Sequence, residues 1–586
     1  MEIEKGYELK DENITHNPND DFYRDFLKDY YVKTADGQYL FGSKQPGRRP
    51  DRVFHMAPEG HKLGYKQKEF DVEIGKKIFE IALRYLKEVK VIVLEGMQGE
   101  ASYETGVRVI LSIERPQSAY IVWMGKKMIF PPKNNMHIHC WNYQIPERLP
   151  DEYVKKIKAV WSEYDADEPL TLYDFTEEDQ DKRRVLGLGV DYFGGAFKKP
   201  NLTMVWNRGE AEGFISYHAG CTKDRILKGL SGTGKTTLTV GPKLEQDDAC
   251  LGKPIYEGEK IVGVELIGLE AASYAKSQGL DEKSPEWVGL MKSKDGKTIV
   301  LAQNIDCEGV EYVVEDDVKI PRGEAGHLQC TQYEKSGTTN GRFIFGFNEV
   351  NPGWNKRKEK KLLKTITLSF KRFDVLEPAF RVTNPIMAVA LDSACESIIT
   401  SAVAGRKAGT RVRSYAATDF MSREQSEQAL LKLKMYNDLG LEDKLMFFIN
   451  NAGFVGDSKL DGDQQKKGEK IKVEDSKRLI DLIEHRKIKN WVKHPVYGYL
   501  IPEPKELEDV HGMKDFKKRF NLLNYYTADE ILEFAKRDIK ERTEFLEEVF
   551  KGQEGYDKLK AVREVWKNCK LPSVEEIKAF YDKHYA

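Results

Sequence analysis

Eight consecutive residues, Gly229, Leu230, Ser231, Gly232, Thr233, Gly234, Lys235 and Thr236, have the pattern G-x-x-x-x-G-K-[ST]. Each part of that pattern answers to the chemistry of a nucleoside triphosphate. Glycines allow the torsions that turn successive backbone N–H groups inward around phosphate oxygens. The N-terminus of the succeeding helix adds a partial positive charge. Lys235 is placed to reach the β- and γ-phosphates, and the Thr236 hydroxyl can ligate Mg²⁺, with Thr237 continuing the turn. The segment therefore predicts ATP binding and phosphoryl transfer.

Other residues near it could do related chemistry. Asp247-Asp248 lies downstream, where an acidic pair could hold a divalent ion. Lys198-Lys199 comes after the turn Gly194-Gly195, and His218 ends the apolar segment 213–218. Taken singly, each has an ordinary reading: a solvated Asp-Asp turn, a solvent-facing lysine pair, and a hydrogen-bonded core histidine.

The elements that must position these groups can be read from periodicity. Residues 69–88 carry apolar side chains at Ile74, Ile78, Phe79, Ala82, Tyr85 and Leu86, the spacing of an amphipathic helix. Val89–Leu94, Arg108–Ile113 and Tyr120–Trp123 read as buried strands. Residues 147–184 read as a helical connector, and from Val185 onward the pattern becomes strands and Gly-rich turns. Arg225–Leu227 is a short strand before the phosphate loop, and residues 237–240 open a helix or strand after it. Residues 528–550 and 555–567 are helical. The lysine-rich run 356–361 and the Gly/Lys/Gln-rich stretch 462–470 read as solvated loops. These shifts predict an α/β domain at 1–184, a nucleotide-binding domain at 185–526 and a helical extension at 527–586.

Composition excludes other classes. The 586 residues carry a formal net charge of −2, with 40% hydrophobic and 32% charged residues, so no broad nucleic-acid or membrane-surface footprint is expected. Seven cysteines without a CxxC pair argue against a disulfide framework or zinc ribbon and for a reducing cytosol. The first residues lack an apolar signal region, and no window approaches 18 apolar residues. A soluble, cytoplasmic protein is the expectation.

Together, these segments resemble the ATP-dependent phosphoenolpyruvate carboxykinases. The family's aromatic pair, two glycines and two lysines stand here as Tyr192–Lys199, and its histidine comes nineteen residues after the second lysine, at His218. Its extended phosphate loop G-L-S-G-T-G-K-T-T-L is present letter for letter at Gly229–Leu238. Leu269–Lys276 is similar to F-E-G-G-C-Y-A-K, Pro378–Thr383 to P-V-S-R-L-T, and Gly468–Ser476 to G-K-R-I-S-I-K-D-T. Lys127–Pro132 matches the N-terminal strand region more loosely.

The resemblance implies a two-domain α/β carboxykinase fold, with a P-loop nucleotide-binding C-terminal domain, a helical C-terminal extension and the active site between the domains. It implies the reversible reaction of oxaloacetate with ATP to give phosphoenolpyruvate, ADP and CO₂, with Mn²⁺ and Mg²⁺. Lys199, His218 and Asp248 would hold Mn²⁺, and Thr236 would hold Mg²⁺ on the triphosphate. Lys235 and Arg381 would neutralise the transferring phosphoryl group, with Lys198, Glu270 and Lys276 supporting it. Arg48, in the segment 47–50, would clamp the substrate carboxylate. Lys470, Ile471 and Ser476 would border adenine. The sequence departs from the pattern at Phe193, where the family has tyrosine, at Ala271 and Ala272, where it has glycines, and at Lys470, where it has arginine. Segment 404–410 resembles the family's A-G-T lid, but the residues beyond it diverge. The nucleotide, ATP or GTP, stays open. So do two other functions for the same phosphate loop: a kinase for another acid or a protein serine, and a nucleotide-binding protein without catalysis.

Overall fold

In the computed structural model, residues 1–4, 6–100, 102–230, 232–241, 243–354, 360–398, 410–458 and 468–586 are described. The lid-like segment 404–409, most of the stretch 462–470 and most of the run 356–361 lie outside them.

The apolar periodicity of residues 69–88 produces the helix Val72–Leu86, which Asp71 caps by accepting from the Ile74 N–H at 2.8 Å. It packs with the helix Asp151–Val160 on one face of a seven-stranded sheet. In order across the sheet, its strands are Ile14–His16, Val91–Gln98, Thr105–Ser112, Ile138–Ile145, Arg183–Leu188, Leu170–Asp174 and Val53–Met56. Alternation within Val91–Leu94 shows why the sheet is covered twice: Val91 and Val93 join the core under those helices, while Ile92 and Leu94 face the larger core on the other side. The sheet runs through position 184, because Arg183–Leu188 is one of its inner strands.

Three expectations are corrected here. Tyr120–Trp123 is not a strand but the start of the helix Tyr120–Met128. Its apolar run is buried on every side, and a short run of that kind carries no period to separate helix from strand. The connector 147–184 is helical only at Asp151–Val160 and then supplies the strand Leu170–Asp174. Lys361, at the end of the lysine run, is not solvated: its amine bonds Glu100 at 2.9 Å and Glu245 at 3.1 Å.

The phosphate loop belongs to an eight-stranded sheet. The strands Arg225–Gly229, Thr365–Phe370 and Met446–Asn451 run parallel in adjacent positions, so Gly229, Ser369 and Asn450 stand side by side at one edge. Carboxyl ends of parallel strands are where open α/β sheets bind ligands. A four-stranded sheet, containing Ile215–Tyr217, Cys250–Glu257, Lys260–Gly268 and Lys361–Leu362, lies next in the chain. A five-stranded sheet pairs Ala272–Lys276, Arg342–Gly346 and Leu301–Gln303 with Tyr39–Phe41 and Val32–Lys33 from near the N-terminus. The chain is thus a mixed α/β protein in which residues 32–41 are tied into a sheet whose other strands come from 272–346. Among the described residues no helix is long and apolar enough to cross a membrane.

At the C-terminus the helix Ala528–Phe550 begins with a capping box of Thr527 and Glu530, and Val574–His584 with one of Ser573 and Glu576. Between them, the expected helix 555–567 is reduced to the short turns Asp557–Leu559 and Lys560–Arg563.

One packing contact ties this frame to the chemistry. Gly125, in the helix Tyr120–Met128, lets the Phe197 ring approach so closely that an added Cβ would lie 2.1 Å from it. Phe197 immediately precedes Lys198. We expect Gly125→Ala to cost about 1–3 kcal/mol through overpacking, read as a lowered melting temperature, and to reduce nucleotide-dependent turnover by displacing the lysine pair.

Candidate phosphate and metal site

The loop after Gly229 has the torsions its sequence requires. Gly232 and Gly234 take φ of 79° and 85°, in the left-handed region that side chains disfavour. Thr233 is tied down twice: its hydroxyl donates to the Leu230 carbonyl at 2.8 Å, and its own carbonyl accepts from Ser369 Oγ at 2.7 Å. The helix Lys235–Thr239 then begins, with Thr236 and Thr237 half-buried at its start. Ser231 lies outside the described residues.

His218 sits where the chain changes sheets. Ile215–Tyr217 pairs with Cys250–Glu257, and Ala219–Thr222 pairs with Arg225–Gly229. The residue between them is thereby held at the junction, beside the phosphate loop. Asp248 is there because of its backbone: φ is 73°, a conformation non-glycine residues adopt at a cost of about 1 kcal/mol or more. The turn sends the two acidic side chains to different partners. Asp247 accepts from Ser273 Oγ at 2.6 Å. Asp248 accepts from Lys198 Nζ at 2.8 Å and lies 2.8 Å from His218 Nε2. Lys198 itself ends a π-helical turn, Gly194–Lys198, a rare geometry that aims it inward before the helix Lys199–Ala211.

The electrostatics arise from this crowding. Burial alone would raise the Asp248 carboxyl, but Lys198, His218 and Lys235 outweigh it and hold it well below the ordinary carboxylate range. Burial, joined by Asp248, pushes Asp247 up. Glu270 is fully enclosed, 3.6 Å from Lys198, and burial with the nearby aspartates pushes it up to about 8. Burial would lower the Lys198 amine, yet Asp248 and Glu270 keep it charged by raising it. Burial lowers Lys235, with Asp248 opposing.

His218 has one unresolved valence. Its Nδ1 lies 2.9 Å from the Ala416 carbonyl, which only accepts, so Nδ1 carries a proton. Its Nε2 faces Asp248 Oδ1 at 2.8 Å and Lys235 Nζ at 3.0 Å. A proton on Nε2 would satisfy Asp248 but set a positive ring against the lysine amine. A bare Nε2 would accept from Lys235 but set its lone pair against a carboxylate. A divalent cation held by Nε2 and Oδ1 would occupy both lone pairs if Lys235 swung away toward a phosphate, and the backbone bond at Nδ1 fixes the tautomer a metal needs.

A second group, His137, His139 and Asp181, brings three ligand atoms within 4.8 Å. It is a poor metal site. His139 Nδ1 accepts from the Gly106 N–H at 3.0 Å, so its remaining proton sits on Nε2, facing Asp181 at 3.3 Å. Asp181 is already paired with Arg183 at 2.8 Å and Arg208 at 2.9 Å, whose charges oppose a cation.

Lys199 and His218 share one aromatic neighbour, Phe420. Lys199 Nζ is 5.3 Å from the Phe420 ring centre, Arg48 Cζ is 5.7 Å from the same centre, and the His218 ring 4.9 Å. Asp419 pairs with Arg48 at 3.2 Å. Among the described residues, Lys199 forms no ion pair with Asp248. Arg48, Arg49, Arg52, Tyr192 and Lys199 line one cavity. Tyr192, whose hydroxyl accepts from Asn340 Nδ2 at 2.9 Å, supplies the phenol there, while Phe193 is buried against Phe197 and Tyr274.

Several sequence-based expectations place differently. Arg381 is not at the phosphate loop. It pairs with Phe448, below the strand edge that carries Asn450, and lies over Trp491 at 5.8 Å. The basic side chain near Asp248 is instead Arg342, whose strand pairs it with Lys276 and places it over the Tyr274 ring at 5.4 Å. Arg342 is held charged, above its ordinary range, by Tyr192, Tyr274 and Asp248 against the opposing effect of burial. No motif marked Arg342, Asp419 or Phe420; only strand pairing and a return of the chain from far away bring them in. Ile471 and Ser476 are buried in the core, and Lys470 stays exposed beside Lys371.

Lys199 yields a measurable pH dependence. Burial, with Arg48 adding to it, pushes its amine down to about 7. The unfolded chain, titrating near 10.4, then binds more protons at this residue between about pH 7 and 10. The destabilising contribution is full below pH 7 and lifts as the pH rises through that window. We expect Lys199→Met to stabilise the metal-free protein more near pH 6.5 than near pH 9.5, by a difference on the order of 3 kcal/mol, read from urea midpoints.

Residues 17–295 match the family model described as phosphoenolpyruvate carboxykinase. A relative from Caldanaerobacter subterraneus subsp. tengcongensis, named phosphoenolpyruvate carboxykinase (ATP), is 26% identical over 214 residues, which cover 35% of this chain and 38% of the relative. The match thus spans little more than a third of that relative's length. Lys198, Lys199, His218, the phosphate loop, Asp248, Glu270 and Lys276 all fall inside the matched stretch. Residues 17–295 therefore belong to the phosphoenolpyruvate carboxykinase family.

Proposed function

We propose that the protein is an ATP-dependent phosphoenolpyruvate carboxykinase, converting oxaloacetate and ATP reversibly into phosphoenolpyruvate, ADP and CO₂. The observation that carries this reading is the convergence of His218 Nε2 and Asp248 Oδ1, 2.8 Å apart, next to the phosphate-loop lysine. A plain ATP-binding protein has no use for a cation site there.

His218 and Asp248, with Lys199 nearby as an uncharged amine, would hold Mn²⁺; Thr236 would hold Mg²⁺ on the triphosphate. When bound, these cations supply positive charge to the enolate oxygen and the phosphoryl oxygens. The remaining work falls to the chain's own side chains. Loss of CO₂ from oxaloacetate leaves an enolate, an anion that must strike the anionic γ-phosphate. Arg48, whose Nη1 is buried without a hydrogen-bond partner, is free to bind the substrate carboxylate. Tyr192 borders the same cavity. Lys198, kept charged by Asp248, would add a fixed cation beside the reacting centre. Lys235 and Arg342 carry the charge that develops on the transferring group, Arg342 in the place expected of Arg381. Glu270, pushed toward its neutral form, leaves Asp248 as the main negative charge that Lys198 balances.

Purified protein should form oxaloacetate from phosphoenolpyruvate, bicarbonate and ADP in the presence of Mn²⁺, with GDP and inorganic phosphate run as alternative acceptors. Product that requires none of these acceptors, or an absence of CO₂-dependent turnover, would remove the reading and favour a kinase or a non-catalytic nucleotide binder. Lys235→Ala should abolish turnover. Arg342→Gln should lower kcat by about 10²-fold or more, the cost typical of removing a donor to a charged transition state, whereas Arg381→Gln should stay within a few-fold of the parent. His218→Ala should raise the Mn²⁺ concentration needed for half-maximal activity by about 10–100-fold.

A further inference from the structure

The C-terminal helix Ala528–Phe550 does more than cover the core. Its residues Asp538, Glu541 and Arg542 share one face and enter a buried charge network. Opposite them stands a two-stranded ribbon, Cys395–Ile398 paired with Arg411–Ser414, in which Glu396 faces Arg413. Arg413 Nη1 bonds Glu541 at 2.5 Å, and Arg411 Nη2 bonds it at 3.1 Å. Arg411 also pairs with Asp538. Asp538 in turn bonds Arg372 at 2.8 Å and accepts from the Tyr497 hydroxyl at 2.7 Å. Arg372 and Arg542 close the circuit on Glu396 at 2.5 and 2.9 Å. Arg372, Glu396, Asp538 and Arg542 are essentially without solvent exposure.

What the network holds lies three residues further along. After Arg413 the chain runs directly into residues 415–420, all buried except Asp419. Ala416 supplies the carbonyl that fixes the proton on His218 Nδ1. Asp419 pairs with Arg48, and the Phe420 ring touches Arg48, Lys199 and His218. A buried ionic network is costly unless every member is satisfied, so removing one member leaves others free to pull the ribbon out of register.

We propose that Asp538 and Glu541 are positioning residues: by gripping Arg411 and Arg413 they keep the Ala416 carbonyl on His218, and so set the ring's tautomer and its affinity for a divalent cation. Neither touches substrate or the reacting atoms. The proposal rests on the metal role given to His218 above, and it extends the active unit beyond the residues 17–295 that match the family.

Two measurements separate the proposal from that role. Hydrogen exchange of the metal-free protein reads the grip itself, whatever binds His218. In Glu541→Gln, the milder change because this carboxylate is partly exposed, and in Asp538→Asn, amides of 411–421 should exchange about tenfold faster or more, while those of the strand Arg225–Gly229 keep their parental rates. Mn²⁺ binding, tracked by the electron paramagnetic resonance of the free ion without nucleotide, should weaken by about tenfold or more, as for loss of a group that orients a ligand. Unchanged exchange in 411–421 of a folded Glu541→Gln protein overturns the proposal. Accelerated exchange with Mn²⁺ affinity unchanged overturns it too. A parent protein that takes up no Mn²⁺ but shows the exchange response sinks the metal reading while supporting the grip on Ala416.

Discussion

Positive charge placed against Asp248 is the constraint around which the rest of this structure is arranged. The carboxylate is half-buried with Lys198, His218 and Lys235 in reach, and none of the four could be enclosed alone. Enclosing them together requires three separate elements to arrive at one point: a π-helical turn for Lys198, a sheet crossing for His218 and a phosphate loop for Lys235. It also requires a left-handed aspartate. The strain at Asp248 is held by the strands on either side, and it separates two adjacent acids so that one faces the imidazole and the other a serine.

Around that centre, charges are held in a definite protonation pattern by burial. Glu270 is raised and Lys199 lowered, so each tends toward its neutral form at neutral pH, while Lys198 and Arg342 keep their charge. This mixture suits a reaction in which one anion attacks another. It offers fixed cations without an equal number of fixed anions beside them. The aromatic ring of Phe420 contacts both the lysine and the histidine, and gives Arg48 a face to rest on.

The same logic extends outward to the C-terminal helix. A second buried network, five arginines with Asp374, Glu396, Asp538 and Glu541, anchors the ribbon that delivers Ala416, Asp419 and Phe420. Two ionic clusters, one at the phosphate loop and one beneath the last long helix, are joined by a few residues of backbone. Stability and site geometry are therefore not separate properties of this chain.

The local parts are specified by the amino-acid order alone. The glycines of 229–234 impose their torsions wherever they occur, Lys235 and Thr236 come with them by covalent connection, and the amphipathic run at 72–86 has one apolar face to bury. The lysine pair, His218 and Asp248 were legible because their spacing is a property of the chain. Folding in three dimensions set everything that depends on pairing between distant segments. Arg342 lies beside Asp248 because its strand pairs with that of Lys276, and Arg381 does not because its antiparallel strand carries it below the sheet edge. The helix at 120–128 was hidden from the sequence because burial of the run 120–125 on all sides erases the period that would have announced it. Phe420 and Ala416 have no signature at all; they act through position, and position is set by packing energy summed over contacts that no local window contains.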